Sequence, residues 1–282
     1  VGALKVCNLS RLADAPRFEL NLAVGDSLLH GKQFRKVDFG PERHLFPEDD
    51  PLHHVFETED ARALSRILGQ QYHVVVGNPP YPTVKDSVLN QAYRYRYRSC
   101  HRQYSLVVPF TERLFNLALS PASGTSAGFV GMIVSNSFMK REFGKKLIEE
   151  TLPRLDLTHV VDASGAYIPG HGTPTVILFG RHRSPVGDKI RSVQGIRGEP
   201  TTQKEPALGK VWQAILHQID NAGAESEWVS VADLERAAYR QHPWSLGGGG
   251  AGELKSAIAE KQLILESQRF QDVMASIEQR TI

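Results

Sequence analysis

His73-Val74-Val75-Val76 is an unbroken apolar run that stops at Gly77-Asn78-Pro79-Pro80-Tyr81. Two adjacent prolines remove two backbone donors and fix two φ angles, so neither a ladder nor a helix continues through them. A short continuous apolar run of this kind reads as a parallel strand buried on both faces. The tetrapeptide then sits at a strand's carboxyl end, which is where open α/β sheets bind their ligands.

The rest of the chain is consistent with that placement. Phe18–Val24 alternates like a half-buried strand and ends in a turn at Gly25-Asp26. Residues 32–56 read as a charged, Pro-containing surface loop. Thr58 is expected to cap a helix with Ala61, Leu64, Ile67 and Leu68 on one face and Gly69 at its end. A polar Tyr/Arg-rich stretch covers 82–104, and 106–119 has helical spacing. Gly128–Val134 is a second buried strand leading to a charged helix at about 140–150. Leu157–Val161 and Thr175–Phe179 are strands joined by a short loop, which predicts an antiparallel hairpin at the sheet's edge. Strands alternating with helices indicate an α/β fold with a mostly parallel sheet. The character changes near 184. Residues 184–210 read as loop, Val211–Ile219 and Val231–Ala238 as helices, Gly247–Gly250 as a flexible joint, and 252–280 as a helix. The division expected is therefore 1–184 and 185–282, the second a linker and mostly helical region.

The 282 residues carry 33 Lys+Arg against 31 Asp+Glu, a formal charge of +2, with 41% hydrophobic residues. A disordered tail and a histone-like polycation are excluded. Two cysteines, Cys7 and Cys100, cannot build a disulfide framework, which fits a reducing compartment. No apolar run approaches the ~20 residues of a membrane span. A cytoplasmic protein without membrane contact is expected. Val1 in place of Met suggests a piece of a longer chain.

The tetrapeptide suits one kind of chemistry. An exocyclic amine on a heteroaromatic ring is a poor nucleophile because its lone pair is delocalised. Two acceptors that take both amine hydrogens favour a pyramidal nitrogen with its lone pair turned outward. The Asn78 side-chain oxygen is one acceptor, and the Pro79 carbonyl, directed by Pro80, is the other. Tyr81 offers a face for stacking. No shifted general base is needed, and neither a Ser/His/Asp set nor a set of zinc ligands is evident; Cys100-His101 lacks partners for a metal.

In these residues the chain resembles the amino-methyltransferases that use S-adenosyl-L-methionine, above all the adenine-specific DNA methyltransferases. Asn21–Leu29 is similar to the motif whose acidic residue, here Asp26, contacts the cofactor's adenine. Phe129–Phe138 is similar to the strand motif on the cofactor side. Gly165-Ala-Tyr167 with Thr173–Phe179 resembles the motif whose aromatic residue, here Tyr167, packs against a flipped base. Tyr93–Arg113 and His242-Pro-Trp-Ser-Leu246 narrow the likeness to the large adenine methyltransferases of BREX phage-resistance systems. The resemblance implies a Rossmann-like methyltransferase fold, S-adenosyl-L-methionine as cofactor, double-stranded DNA as partner beside other phage-defence proteins, and catalysis by Asn78, Pro79, Pro80 and Tyr81. The family's Gly-rich first motif does not precede Asp26, so an internal fragment lacking the first strands is expected, with 1–184 a partial methyltransferase catalytic domain and 185–282 leading to a target-recognition domain that is missing.

Alternatives stay open at this level. Asp26 is equally at home as a turn residue, and Tyr167 as a packed loop tyrosine. Arg94, Arg96 and Arg98 with Lys85 make a local positive patch that suits a phosphate-tracking surface or a solvated face over inward-packed tyrosines. Methylation of a protein glutamine, or a non-catalytic DNA-binding remnant, are the rival functions.

Overall fold

The structure is a computed structural model of the chain. It describes residues 21–31, 60–121, 126–170 and 172–248, with Lys261 and Gln268. The chain divides into two compact units, Val1–Lys32 with Val55–Gln70, and Gln33–His54 with Gln71–Ile282.

In the first unit, helix α1 spans Ala61–Leu68. Its cap is Asp60, whose side chain accepts from Ala63 N at 2.8 Å and so satisfies one of the first-turn donors that no helical carbonyl can reach. Thr58, the expected cap, lies outside the described residues. Leu64 and Leu68 are its buried face. Gly31, at φ +79°, lies against the helix end, where a Cβ would sit 2.3 Å from Leu68 Cβ. Residues 21–24 carry no strand, and the start of the expected strand at Phe18 is not among the described residues.

The second unit is organised by a six-stranded sheet. Its strands are β1 (Val74–Gly77), β2 (Phe129–Ser135), β3 (Asp156–Asp162), β4 (Thr175–Arg181), β5 (Lys189–Gly195) and β6 (Val229–Glu235). The order is β1-β2-β4-β3-β5-β6. β1 pairs β2, and β3 pairs β5, in parallel; β4 is antiparallel to β2 and β3, and β6 to β5. The sheet is thus mixed, with β1, β2, β3 and β5 running one way and β4 and β6 the other. The β3–β4 hairpin forms as expected but lies inside the sheet. β4 has Val176 and Leu178 fully buried on one face and Ile177 on the other, and it carries partners on both edges.

Helix α2 covers Ser87–Arg96 and α3 covers Val107–Leu117. α3 packs on the face carrying Val75, Val130, Met132 and Leu178. A Cβ on Gly77 would lie 2.6 Å from Leu114 Cδ1, and one on Gly180 would lie 3.0 Å from the Phe115 ring. Helix α4 (Lys210–Gln218) covers the far end of the opposite face. Its Val211, Ala214 and Ile215, spaced i, i+3 and i+4, join Val161, Val193, Val229 and Val231 in one buried cluster. Burying each of the larger side chains contributes about 1.5–3 kcal/mol.

Three expectations change here. β1 is buried on one face only: Val75 is 8% exposed, whereas Val74 and Val76 are 60% and 79% exposed, because α4 stops short of the β1–β2–β4 end. The sheet runs on past 184, with β5 inside the supposed loop and β6 where a helix was expected over Val231–Ala238. Polar outward residues disguised both strands. Arg191 stands directly opposite Asp233 in the β5–β6 register, and its guanidinium holds that carboxyl below the usual range, chiefly by hydrogen bonding. The charged helix at 140–150 is instead a chain of short turns, 3₁₀ at Asn136–Met139, Glu142–Gly144 and Leu152–Arg154, with a π-turn at Leu147–Thr151. The helix expected over 252–280 lies outside the described residues, Lys261 and Gln268 excepted.

At the sheet's other end, Asp156 is 2% exposed. It receives Arg183 Nε at 2.8 Å and Arg236 at 3.2 Å. Arg236 also donates to the carbonyls of Leu157 and Gly187, at 3.0 and 2.8 Å. Among the described residues no helix is long and apolar enough to cross a membrane.

Candidate active site

Because β1, β2, β3 and β5 run the same way, the segments that follow them emerge at one edge of the sheet. Asn78–Tyr81 follows β1, Asn136–Met139 follows β2, and the loop 163–174 follows β3. Asn78 is exposed, Pro79 buried, Pro80 exposed and Tyr81 half-buried. Burying the first proline while leaving Asn78 in solvent anchors the loop and presents the amide. The Tyr81 hydroxyl donates to Asn78 Oδ1 at 3.2 Å. With the amide in this orientation, a second lone pair on the oxygen is left for a ligand. Burial pushes the Tyr81 phenol up from its ordinary value, so the donor stays protonated.

The loop is held from below by a residue that sequence reasoning missed. Ser105 Oγ donates to the Tyr81 carbonyl at 2.5 Å and accepts from Val107 N at 3.3 Å. Leu106 N donates to the Pro82 carbonyl at 2.9 Å, and Thr83 bridges Ser105. Glu112 on α3 fixes the start of the same segment: its Oε2 accepts from Ser99 Oγ at 2.6 Å and from Ser99 N at 3.3 Å. No local pattern announces the Ser105–Tyr81 and Glu112–Ser99 contacts, which join residues 24 and 13 apart in the chain.

Helix α2 forms the middle of the Tyr/Arg-rich stretch. Asp86 caps α2 by accepting from Leu89 N at 2.9 Å. Helical spacing converts the period-2 alternation into two faces. Tyr93 and Tyr97, i and i+4, are buried, and Arg94 and Arg98 face outward. Lys85 and Arg98 are exposed and Arg96 is half-buried. Arg94 is engaged within the chain. Its Nε donates to Asn90 Oδ1 at 2.6 Å, a terminal nitrogen donates to the Arg102 carbonyl, and the guanidinium lies 5.2 Å from the Tyr104 ring centroid. Arg102 itself has φ +52°, a left-handed conformation that costs a non-glycine residue about 1–2 kcal/mol.

Tyr167 is half-buried on the loop after β3. Its carbonyl accepts from Trp212 Nε1 at 3.1 Å, and Glu199 N donates to Gly165 O at 2.8 Å. Two strands separate β1 from β3, so the strand ends that lead to Asn78 and to the Tyr167 loop lie about 14 Å apart along the edge. In the first unit, described by itself, Asp26 Oδ1 accepts from Leu28 N at 2.7 Å and Leu29 N at 3.1 Å. The turn role of this carboxylate is therefore real, and the same contacts orient it. Among the described residues no cluster of three or more His, Cys, Asp or Glu could hold a metal.

Cys100 is 7% exposed, and burial, then the nearby Glu112 carboxylate, push its thiol well above the ordinary range. The thiolate is the reactive form. We expect Cys100 to resist iodoacetamide at pH 8 in the native protein and to label fully in urea, read by peptide mass spectrometry. Equal labelling in both would mean that the 98–105 segment opens freely.

Residues 10–167 match the family model of the Eco57I restriction-modification methylases. The chain is 45% identical over 274 residues to the "Adenine-specific methyltransferase PglX" of Streptomyces coelicolor, a match covering 94% of this chain and 23% of that protein. It is 30% identical over 95 residues to the "Type II methyltransferase M.BstVI" of Geobacillus stearothermophilus, covering 33% of this chain and 16% of that one. The chain thus spans less than a quarter of the length of either curated relative. Among solved structures, the modification subunit assigned to a type I restriction enzyme of Vibrio vulnificus aligns with TM-score 0.47 and 14% identity, over 67% of this chain and 40% of that one. By its family match, this chain belongs to the Eco57I restriction-modification methylases.

Proposed function

We propose that the chain carries the catalytic loop of an adenine-specific DNA methyltransferase working in restriction-modification and phage defence. The observation that carries the reading is Asn78-Pro79-Pro80-Tyr81 at the carboxyl edge of β1, with its acceptor oxygen presented to solvent and its backbone tied down by Ser105.

A target adenine extruded from double-stranded DNA donates one N6–H hydrogen bond to Asn78 Oδ1 and the other to the Pro79 carbonyl. Those two bonds turn the nitrogen lone pair outward. Tyr81 stacks on the ring, and Tyr167 closes on it from the β3 side. Extrusion costs a few kcal/mol, offset by stacking and phosphate contacts. Arg98 and Lys85, exposed near the loop, and the half-buried Arg96 suit the DNA backbone. When bound, S-adenosyl-L-methionine supplies a methyl group on a positively charged sulfur. Asp26 fits a contact to the adenine of that cofactor, because the Leu28 and Leu29 amides orient its carboxylate. Residues 1–184 hold all of these groups, while 185–282 complete the sheet and supply α4.

The test is methyl transfer by the full-length protein. Unmethylated plasmid DNA and a glutamine-containing peptide pool are each incubated with labelled S-adenosyl-L-methionine and digested for mass spectrometry. N6-methyladenine is the expected product. Labelled glutamine, or no labelled nucleoside, would overturn the reading.

A further inference from the structure

Arg102 is the non-glycine residue with a left-handed backbone among those described. Strain of this kind persists only where the surroundings over-determine it, and it gathers at functional places. The surroundings here are explicit. Arg94 donates to the Arg102 carbonyl while gripping Asn90 and lying over the Tyr104 ring. The Tyr104 hydroxyl donates to the Asn90 carbonyl at 3.1 Å. One arginine, an asparagine and a tyrosine are thus engaged in holding a second arginine in an unfavourable conformation.

What the conformation delivers is the Arg102 side chain itself, 67% exposed, with Glu142 at 3.9 Å and 49% exposed. A pair this open and this long contributes little to stability, so the pair does not account for the strain. Glu142 sits among Lys140, Arg141, Lys145 and Lys146 on the segment after β2, and the first three of these cations are exposed. His101, alongside, is held below its ordinary value by burial and then by Lys146 and Arg102, with Glu142 opposing and Arg94 adding to them. The immediate surroundings are therefore cationic, with one carboxylate facing Arg102. Three residues further on, Ser105 grips the Tyr81 carbonyl. That chain distance is at most about 11 Å, the rise of roughly three nucleotides along one DNA strand.

We infer that Arg102 is a phosphate-contacting residue, gripping a DNA phosphodiester beside the nucleotide extruded into the Asn78–Tyr81 loop, and that Glu142 occupies its guanidinium when DNA is absent. The inference rests on the DNA methyltransferase reading above. Arginine suits the role because its planar fork matches phosphate oxygens two at a time.

The experiment uses the full-length protein, a random-sequence DNA duplex for anisotropy titrations across a salt series, and unmethylated plasmid DNA for kinetics. Arg102→Gly removes the charge but tolerates the left-handed backbone. It is expected to raise the Kd about 5- to 20-fold and to flatten the slope of log Kd against log salt by about one. The loss in methylation should appear in the KM for DNA rather than in kcat. Arg102→Lys should recover part of the affinity and the full salt slope. Glu142→Gln should tighten binding about two- to threefold by removing the internal competitor. An Arg102→Gly protein with unchanged Kd and slope would overturn the inference, as would a loss confined to kcat. Because the titrations need no catalysis, wild-type protein that binds DNA but makes no N6-methyladenine would overturn the activity alone.

Discussion

Asn78→Ala in the full-length protein is expected to lower N6-adenine methylation at least about 100-fold, the scale on which removing one preorganised polar contact to a reacting centre acts. The amine of adenine is flat because its lone pair belongs to the ring, and in the proposed mechanism the loop makes it reactive by engaging both hydrogens. Alanine leaves the Pro79 carbonyl with one hydrogen and lets the nitrogen relax toward planarity. DNA binding should largely persist, because Asn78 is exposed and contributes neither charge nor packing to the phosphate surface. Asn78→Asp keeps an acceptor at the same place and should retain measurable activity. The assay is mass spectrometry of digested nucleosides beside an anisotropy titration. More than a tenth of wild-type methylation in the alanine variant would remove Asn78 from the mechanism.

The second large effect concerns the sheet's opposite end. Asp156→Ala should destabilise the fold by about 3–5 kcal/mol, because breaking a buried pair leaves an uncompensated charge. Arg236 would suffer most: its side chain is 8% exposed, against 31% for Arg183. The control is Glu227→Ala, which breaks an Arg197 pair 58% exposed on both sides and should shift stability by less than about 1 kcal/mol. Urea denaturation midpoints decide the comparison. Equal shifts for the two variants would show that Asp156 is not the tie between β3, the 183 turn and the end of β6.

These two sites differ in how far the sequence revealed them. β1, β2, β3, β4 and α3 were readable because each carries a continuous or periodic apolar set. β5 and β6 were not: Lys189, Arg191 and Gln194 gave β5 the composition of a surface loop, the spacing over Val231–Ala238 read as a helix, and their pairing depends on a partner strand some forty residues away. α2 was hidden by a period-2 pattern of tyrosine and arginine that a helix sorts into faces just as well. In the site, Asn78–Tyr81 was legible because its chemistry is contained in adjacent residues. Ser105, Glu112 and the left-handed Arg102 act across the fold, and Asp156 with Arg236 joins positions whose charges look ordinary in isolation. The fully open Val74 and Val76 were misjudged for the complementary reason: apolar sequence reports what a strand tolerates on each face, not whether both faces are covered.

The reversal of β4 inside the sheet has a consequence for how such a chain diversifies. Because β4 runs against β2 and β3, the loop 163–174 both leaves and re-enters the sheet at the edge that carries Asn78–Tyr81. Ala163 N donates to Thr175 O at 3.1 Å, and Asn136 N to Pro174 O at 3.0 Å. With both ends clasped, residues between them can be exchanged or extended without shifting any strand's register. Change can therefore accumulate in that loop without displacing Asn78 and Pro79 at the same edge.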